Sequence, residues 1–156
     1  MTSEEFQTLY SRDLKKLHAE IAQYASDDQL WKVLPGTINS GGNLCQHLIG
    51  NLRTYVGLAL GNFPYIRNRD SEFADRIFTQ TELLEQIVLL QQIVADSIAK
   101  MTPEALVSDY PRSVLDMFPQ QTISFILTHI LAHLSYHSGQ INYHRRWITG
   151  GTGNSQ

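Results

Sequence analysis

Apolar residues near the N-terminus recur at steps of three and four residues. The apolar positions from Ser3 to Tyr24 are Phe6, Leu9, Tyr10, Leu14, Leu17, Ile21 and Tyr24. This spacing puts one apolar stripe along a helix. The pattern therefore predicts an amphipathic helix from about Ser3 to Tyr24, with Ser3 as its N-cap.

Three more segments carry the same helical pattern. They are predicted to run from Asn43 to about Leu60, from Thr79 or Thr81 to Met101, and from Gln120 to about Thr149. The first of the three ends at Gly61-Asn62 with Pro64 just beyond, which is typical of a helix stop. The last ends at Gly150-Gly151. Each end is thus marked by residues that favour a turn.

The connections between these helices differ in length. Residues 62–78 mix aromatic and charged side chains without a period, which indicates a long crossover, and residues 106–119 are irregular with room for a short extended piece. Four long helices and no convincing pair of strands predict an all-α fold, a four-helix bundle with a long crossover connection. We expect residues 1–151 to form one domain and residues 152–156 to be a frayed tail.

Charge and composition exclude several classes of protein for this chain. The 156 residues include 12 basic and 15 acidic side chains, a net charge of −3, which lacks the basic footprint of a nucleic-acid-binding protein. No stretch approaches the ~20 apolar residues of a membrane helix, and the acidic N-terminus does not resemble a secretion signal. The single cysteine, Cys45, excludes an internal disulfide. We expect a cytoplasmic protein in which Cys45 is buried and inert.

Four histidines share one face of the last predicted helix. His129, His133, His137 and His144 fall within an arc of roughly 80° at about 100° per residue. Ile126 lies on the same face, so the stripe is predicted to enter the core. Histidines four residues apart can bind one metal ion, which allows the pair 129/133 or the pair 133/137. Spacing alone does not choose between these pairs.

A metal ion also needs a ligand from a facing helix. His47, among apolar positions near the start of the second helix, is the best candidate. The alternative is that His47 is a hydrogen-bonded core residue and that the histidine pair serves no metal, since an HxxxH pair on a helix is a weak signal. Both interpretations stand at this point.

Two segments resemble a known superfamily. His133-Leu-Ser-Tyr-His137-Ser-Gly-Gln-Ile141 and Gly42-Asn-Leu-Cys-Gln-His47-Leu-Ile-Gly-Asn51 are similar to the DinB/YfiT-like proteins, which are small metal-binding four-helix bundles. The resemblance implies that His47, His133 and His137 are the metal ligands and that His129 is a neighbour. Ser138 stands where the family often has arginine, which removes a cation beside the site.

Two polar residues lie one turn beyond the implied ligands. Gln140 follows His137 and Asn51 follows His47. Either one can support a ligand from behind, or can simply be a polar residue at the rim of the bundle.

The implied site suggests a reaction class. Three imidazoles without a thiolate suit Zn, Ni, Co or Fe(II), and three protein ligands leave an open coordination position, as in catalytic sites. The resemblance implies a bacillithiol- or mycothiol-type S-transferase acting on a small-molecule substrate with a low-molecular-weight thiol. The alternatives are a metal-dependent hydrolase, for which no Glu or Asp lies beside the histidine motifs, and a non-catalytic metal-stabilised interaction or stress-response protein.

The second helix is apolar on two sides. Leu44, Leu48 and Leu52 form one stripe, while Ile49 and Val56 lie on another side. This is more apolar surface than one bundle core requires, so we expect a homodimer.

Overall fold

The fold is all-helical, as predicted. The computed structural model describes residues 1–111 and 120–150, and within those ranges the chain forms no β-strand, only an isolated bridge between Asp109 and Thr122. The helices are α1 (Ser3–Ala22), α2 (Asp27–Leu30), α3 (Gly41–Leu52) with a π-helical continuation (Arg53–Leu58), α4 (Ala59–Gly61), α5 (Arg69–Ala74), α6 (Gln80–Ala99), α7 (Pro103–Val107) and α8 (Ile123–Ile148).

The N-cap of α1 is Thr2, so the prediction of Ser3 was wrong by one residue. The Thr2 hydroxyl accepts a hydrogen bond from the backbone N–H of Glu5, and the Glu5 carboxylate accepts one from the backbone N–H of Thr2. This reciprocal capping box satisfies two helix-end donors at once, which a lone cap at Ser3 cannot do. Ser3 instead donates its hydroxyl to the carbonyl of Ile98, which joins α1 to α6.

Helix α3 begins two residues earlier than predicted. Ser40 is its N-cap, and Asn43 is the third helical residue, whose side-chain oxygen accepts from the backbone N–H of Ser40. The predicted end at Gly61-Asn62 is confirmed, since Asn62 adopts the left-handed conformation with φ of 58°. Between these ends the helix widens into the π-helical turn.

The longest helices pack around one core. Helix α1 packs against α6 and α8, and α3 packs against the same two helices. Tyr10 is almost fully buried between them and donates its hydroxyl to the carbonyl of Leu127 at 2.7 Å. Near the other end, the Arg145 guanidinium on α8 is buried and donates to the Glu20 carboxylate on α1 at 2.5 Å. Apolar burial and a few satisfied polar contacts thus fix α8 against α1.

The connection between the second and third long helices is partly ordered as α5. Its position is fixed by Gln46, whose amide donates to the carbonyls of Glu72 at 3.1 Å and Asp75 at 3.0 Å and whose oxygen accepts from the backbone N–H of Ile77 at 2.8 Å. Every residue of α3 is buried. The second apolar side of α3 is therefore covered within the chain itself.

Two further observations bear on the predictions. Within residues 1–111 and 120–150, no helix is long and apolar enough to cross a membrane. The Asp109–Thr122 bridge agrees with the short extended piece expected after α7. Most of the irregular segment 106–119 and the expected tail at 152–156 lie outside the described residues.

Candidate metal site

Three histidines from two helices meet between α3 and α8. One ring nitrogen each of His47, His133 and His137 lies within 4.8 Å of the other two. The Nε2 atoms of His47 and His133 are 3.2 Å apart, and the rings of His133 and His137 have centroids 4.5 Å apart. The structure thus brings together the three residues that the resemblance implies as ligands, and of the two possible pairs on α8 it is the pair 133/137 that joins His47.

The other histidines on α8 have different surroundings. His129 lies one turn before His133 and outside the three-histidine cluster. His144 is buried, accepts a hydrogen bond from the Tyr24 hydroxyl at Nδ1 and donates from Nε2 to the carbonyl of Lys32, both at 2.7 Å. Burial lowers the pKa of His144. It is a core histidine whose two nitrogens are both satisfied.

Glu72, on α5, supports His47 from behind. Its Oε2 atom lies 3.0 Å from Nδ1 of His47, and both side chains are buried. An N–H at Nδ1 that donates to this carboxylate leaves the lone pair of the ring on Nε2, which faces the other two histidines. Carboxylates that hold a metal-ligating histidine in this way are common in metal sites.

Arg67 in turn fixes the Glu72 carboxylate. Its Nε and Nη2 atoms donate to the two carboxylate oxygens at 2.7 and 2.8 Å, in a bidentate pair, and its guanidinium lies over the ring of Tyr55. Burial alone would raise the pKa of Glu72, but the hydrogen bonds from Arg67 and His47 hold it below the ordinary value. Glu72 is therefore an ionised acceptor at neutral pH.

Gly50 leaves the space that this carboxylate occupies. A Cβ atom at position 50 would lie 1.9 Å from Oε1 of Glu72 and 3.3 Å from Nε of Arg67. Only glycine allows the carboxylate to approach α3 so closely. This explains a glycine in the interior of a helix, where it otherwise costs about 1 kcal/mol relative to alanine.

Glu72 and Arg67 were not among the site residues predicted from the sequence. A signal was nevertheless present on α3, where Asn43, Gln46 and Gly50 are spaced by three and four residues within an otherwise apolar helix. The amide of Asn43 donates to the carbonyl of Glu72, as Gln46 does. A row of polar and small residues on a buried helix indicates that polar backbone packs against it.

Gln140 contacts the site, as the spacing suggested. Its Oε1 atom lies 2.6 Å from Nδ1 of His137, so the ring N–H donates to the amide oxygen. This again leaves the Nε2 lone pair of His137 for another partner. Asn51, the other candidate, is buried, and its Oδ1 atom has no hydrogen-bond partner among the residues that the structure describes.

The two histidines of α8 favour the neutral form. Burial lowers the pKa of His133 to about 3, with further contributions from His137 and His47. Burial also lowers the pKa of His137, although the hydrogen bond to Gln140 opposes the shift. Neutral imidazoles keep the lone pairs that a metal ion requires, so these two side chains need no proton loss before binding.

Cys45 is fully buried, as predicted, and is not part of the cluster. Burial raises the pKa of its thiol well above the ordinary value. Among the residues that the structure describes, the donor set of the site therefore consists of imidazole nitrogens.

These features define an all-helical protein with a three-histidine cluster that can hold a metal ion. The chain belongs to the family described as protein of unknown function DUF1572, whose model matches residues 4–153. No curated protein and no solved structure gives a significant match to the chain.

Proposed function

We propose that this protein is a divalent-metal-binding four-helix bundle of the DinB type, with a long crossover connection. In this proposal His47, His133 and His137 are the metal ligands, and the protein acts as a metal-dependent thiol S-transferase. The observation that carries the proposal is the convergence of three imidazoles from two helices on one point.

The spacing of the nitrogens fits a metal ion. Two nitrogens that each lie ~2.05 Å from one tetrahedral zinc ion are ~3.3 Å apart. The Nε2 atoms of His47 and His133 are separated by 3.2 Å. Two unprotonated ring nitrogens repel each other at such a distance unless a proton or a cation lies between them, so the arrangement favours occupancy by a cation.

The side chains around the cluster have separable tasks. Glu72 and Gln140 each accept the Nδ1 proton of one histidine, which fixes the tautomer and the ring orientation of His47 and His137. A bound divalent metal ion would supply a positive charge that lowers the pKa of a thiol and favours the nucleophilic thiolate. No side chain of this site competes as a thiolate, since Cys45 lies outside it.

Glu72 is not free to act as the base of a hydrolase. A general base takes a proton from water within hydrogen-bond reach. Both oxygens of Glu72 are already engaged, one by Arg67 and the other by Arg67 and His47. Hydrolysis at this site would therefore rely on the acidity of a metal-bound water alone, whereas thiol transfer needs only the ionised thiol.

Metal content is the first test. Untagged protein is reconstituted with Zn, Ni, Co or Fe(II) and measured by mass spectrometry beside His47→Ala, His133→Ala and His137→Ala, with His18→Ala as a control on α1. We expect one ion per chain in the wild type and the control, and none in the three cluster variants with the fold kept. A wild-type chain that takes up no ion would refute the metal site.

Activity is tested next on the loaded protein. A low-molecular-weight thiol and a chloro-nitroarene are incubated with it, and metal-dependent conjugation is expected. Metal binding without conjugation across several thiols would favour the alternative of a metal that only stabilises an interaction protein, in which case its removal lowers stability and abolishes no activity.

The proposal also covers localisation, oligomeric state and binding partners. We propose a cytoplasmic homodimer that takes a small-molecule substrate and binds neither nucleic acid nor membrane. Solution scattering at micromolar concentration tests the dimer, and a monomer mass would refute it. Because α3 is buried within the chain, the dimer would have to use other helices.

A further inference from the structure

A groove of about 1200 Å³ lies beside the histidine cluster. One wall is the loop between α2 and α3, including Leu34 and Ile38, and the other is the last turns of α8, including Tyr143 and Trp147. This volume is somewhat larger than the ~300–1000 Å³ of typical ligand pockets, so the groove has room for an organic molecule. None of the candidate metal ligands lines it.

Two residues join this groove to the cluster. Gln140 lines the groove and also holds Nδ1 of His137 at 2.6 Å. Leu44 lines it from α3, one turn before His47. A molecule in the groove therefore lies next to Gln140, which supports His137, and one helical turn from His47.

The walls of the groove expose large apolar side chains. Ile38 is 90% exposed, Tyr143 is 76% exposed and Trp147 is 62% exposed. Exposed apolar side chains grouped around a concave surface are typical of a binding site, since they lose water when a ligand covers them. The body of the ligand is therefore expected to be aromatic or aliphatic.

One charged residue lines the groove, and it is basic. Arg146 projects from the last turn of α8 and forms no salt bridge with any residue that the structure describes. Within residues 1–111 and 120–150, no acidic side chain lines the groove. The nearby His144 is neutral, with both of its nitrogens bonded inside the protein. The groove thus combines apolar walls with one unpaired positive charge.

We propose that this groove binds an amphipathic organic anion, with an aromatic or aliphatic body and one sulfonate or carboxylate group near Arg146. Its role as the substrate of the adjoining site rests on the proposed function, whereas the binding itself does not require a metal ion. The groove would hold the apolar part of the electrophile beside the histidine cluster.

Two fluorescent probes that differ by one charge test the proposal. 8-Anilinonaphthalene-1-sulfonate has the shape and charge of the proposed ligand, and N-phenyl-1-naphthylamine has the same rings without the sulfonate. We expect the metal-free wild type to bind the sulfonate about five-fold more tightly, as for one exposed ion pair. Arg146→Gln should abolish this preference, while Lys15→Gln, which removes an exposed cation on α1, should leave it unchanged.

A second variant tests the apolar wall. Trp147→Ala should weaken the binding of both probes several-fold, and far-ultraviolet circular dichroism shows whether the helical fold is kept. Equal binding of the two probes by the wild type, or an unchanged preference in Arg146→Gln, would overturn the proposal. So would binding that weakens as protein concentration rises, because a second copy of the chain would then occupy the groove.

Metal loading separates this proposal from the proposed function. The sulfonate should bind zinc-loaded and metal-free protein with similar affinity. If affinity appears only after loading and is lost in His133→Ala rather than in Arg146→Gln, the metal ion binds the anion and the groove does not. If the protein binds no metal but still prefers the sulfonate probe through Arg146, the proposed groove is supported and the proposed metal site is refuted.

Discussion

The Glu72 carboxylate offers the sharpest test of how the site is built. Replacing it by glutamine keeps the size of the side chain and removes its charge. The wild-type carboxylate accepts hydrogen bonds of 2.7 and 2.8 Å from Arg67 and of 3.0 Å from His47. Glutamine has one acceptor oxygen for these three donors, and its own N–H₂ group points at a guanidinium that cannot accept.

The size of the effect follows from burial. The Arg67 side chain is 12% exposed and that of Glu72 is 4% exposed, so the pair is largely removed from water. Breaking such a pair costs about 3–5 kcal/mol, and the residual exposure of Arg67 places our expectation at about 3 kcal/mol of unfolding free energy. Loss of the histidine support should also weaken metal binding by about 10–100-fold.

Two assays read these effects separately. Urea unfolding of the metal-free protein gives the stability, and competition with a chromophoric chelator gives the zinc affinity. Glu85→Gln, an exposed residue on α6, is the matched control and should change neither quantity. If Glu72→Gln binds zinc as tightly as the wild type while His47→Ala does not bind it, the carboxylate has no part in orienting the ligand and the reasoning is refuted.

The remaining predictions concern Gly50 and His144. Gly50→Ala should lower both stability and zinc affinity because the added Cβ displaces Glu72. An increase in unfolding free energy of up to about 1 kcal/mol, the usual benefit of alanine in a helix, would show that the carboxylate does not need this space. Burial lowers the pKa of His144, so in the folded protein this side chain stays neutral at a pH where it is protonated in the unfolded chain. The unfolding free energy of the metal-free protein should therefore be at its maximum above the ordinary imidazole pKa of ~6.5 and should decrease at lower pH. His144→Gln should make this decline shallower in urea titrations between pH 7 and 5, and an unchanged slope would contradict the assignment.

The long helices were predictable because their apolar periodicity is local. The stop at Asn62 and the stripe of α1 needed only spacing and turn chemistry. The N-terminal ends of α1, α3 and α8 lie one to three residues from the predicted positions. In α1 and α3 the end depends on a capping box, which is a reciprocal pair such as Ser40 and Asn43 and not one favourable residue. The π-helical turn has no comparable signature in the sequence.

Part of the histidine cluster was predictable for the same reason. His133 and His137 share a helix, so their spacing alone puts them on one face. His47 was the best candidate for a facing ligand from its place among apolar positions, and the choice of the pair 133/137 came from the resemblance. Glu72 lies in a segment without periodicity and reaches His47 only because Gln46 and Asn43 bind its backbone. Such a contact depends on the path of the connection in space, which a pattern of apolar residues does not encode.

The attachment of α5 to α3 has a consequence for engineering this chain. The segment between the second and third long helices forms a wall of the site, since it supplies both Arg67 and Glu72. Exchanging residues 62–78 for a flexible linker of equal length could preserve every long helix and all three histidines. The imidazole of His47 would then turn freely, and the three rings would have to be ordered by the metal ion itself. In this protein the connecting segment therefore holds the metal-ligating histidine in place, and the long helices alone would leave the site incompletely ordered.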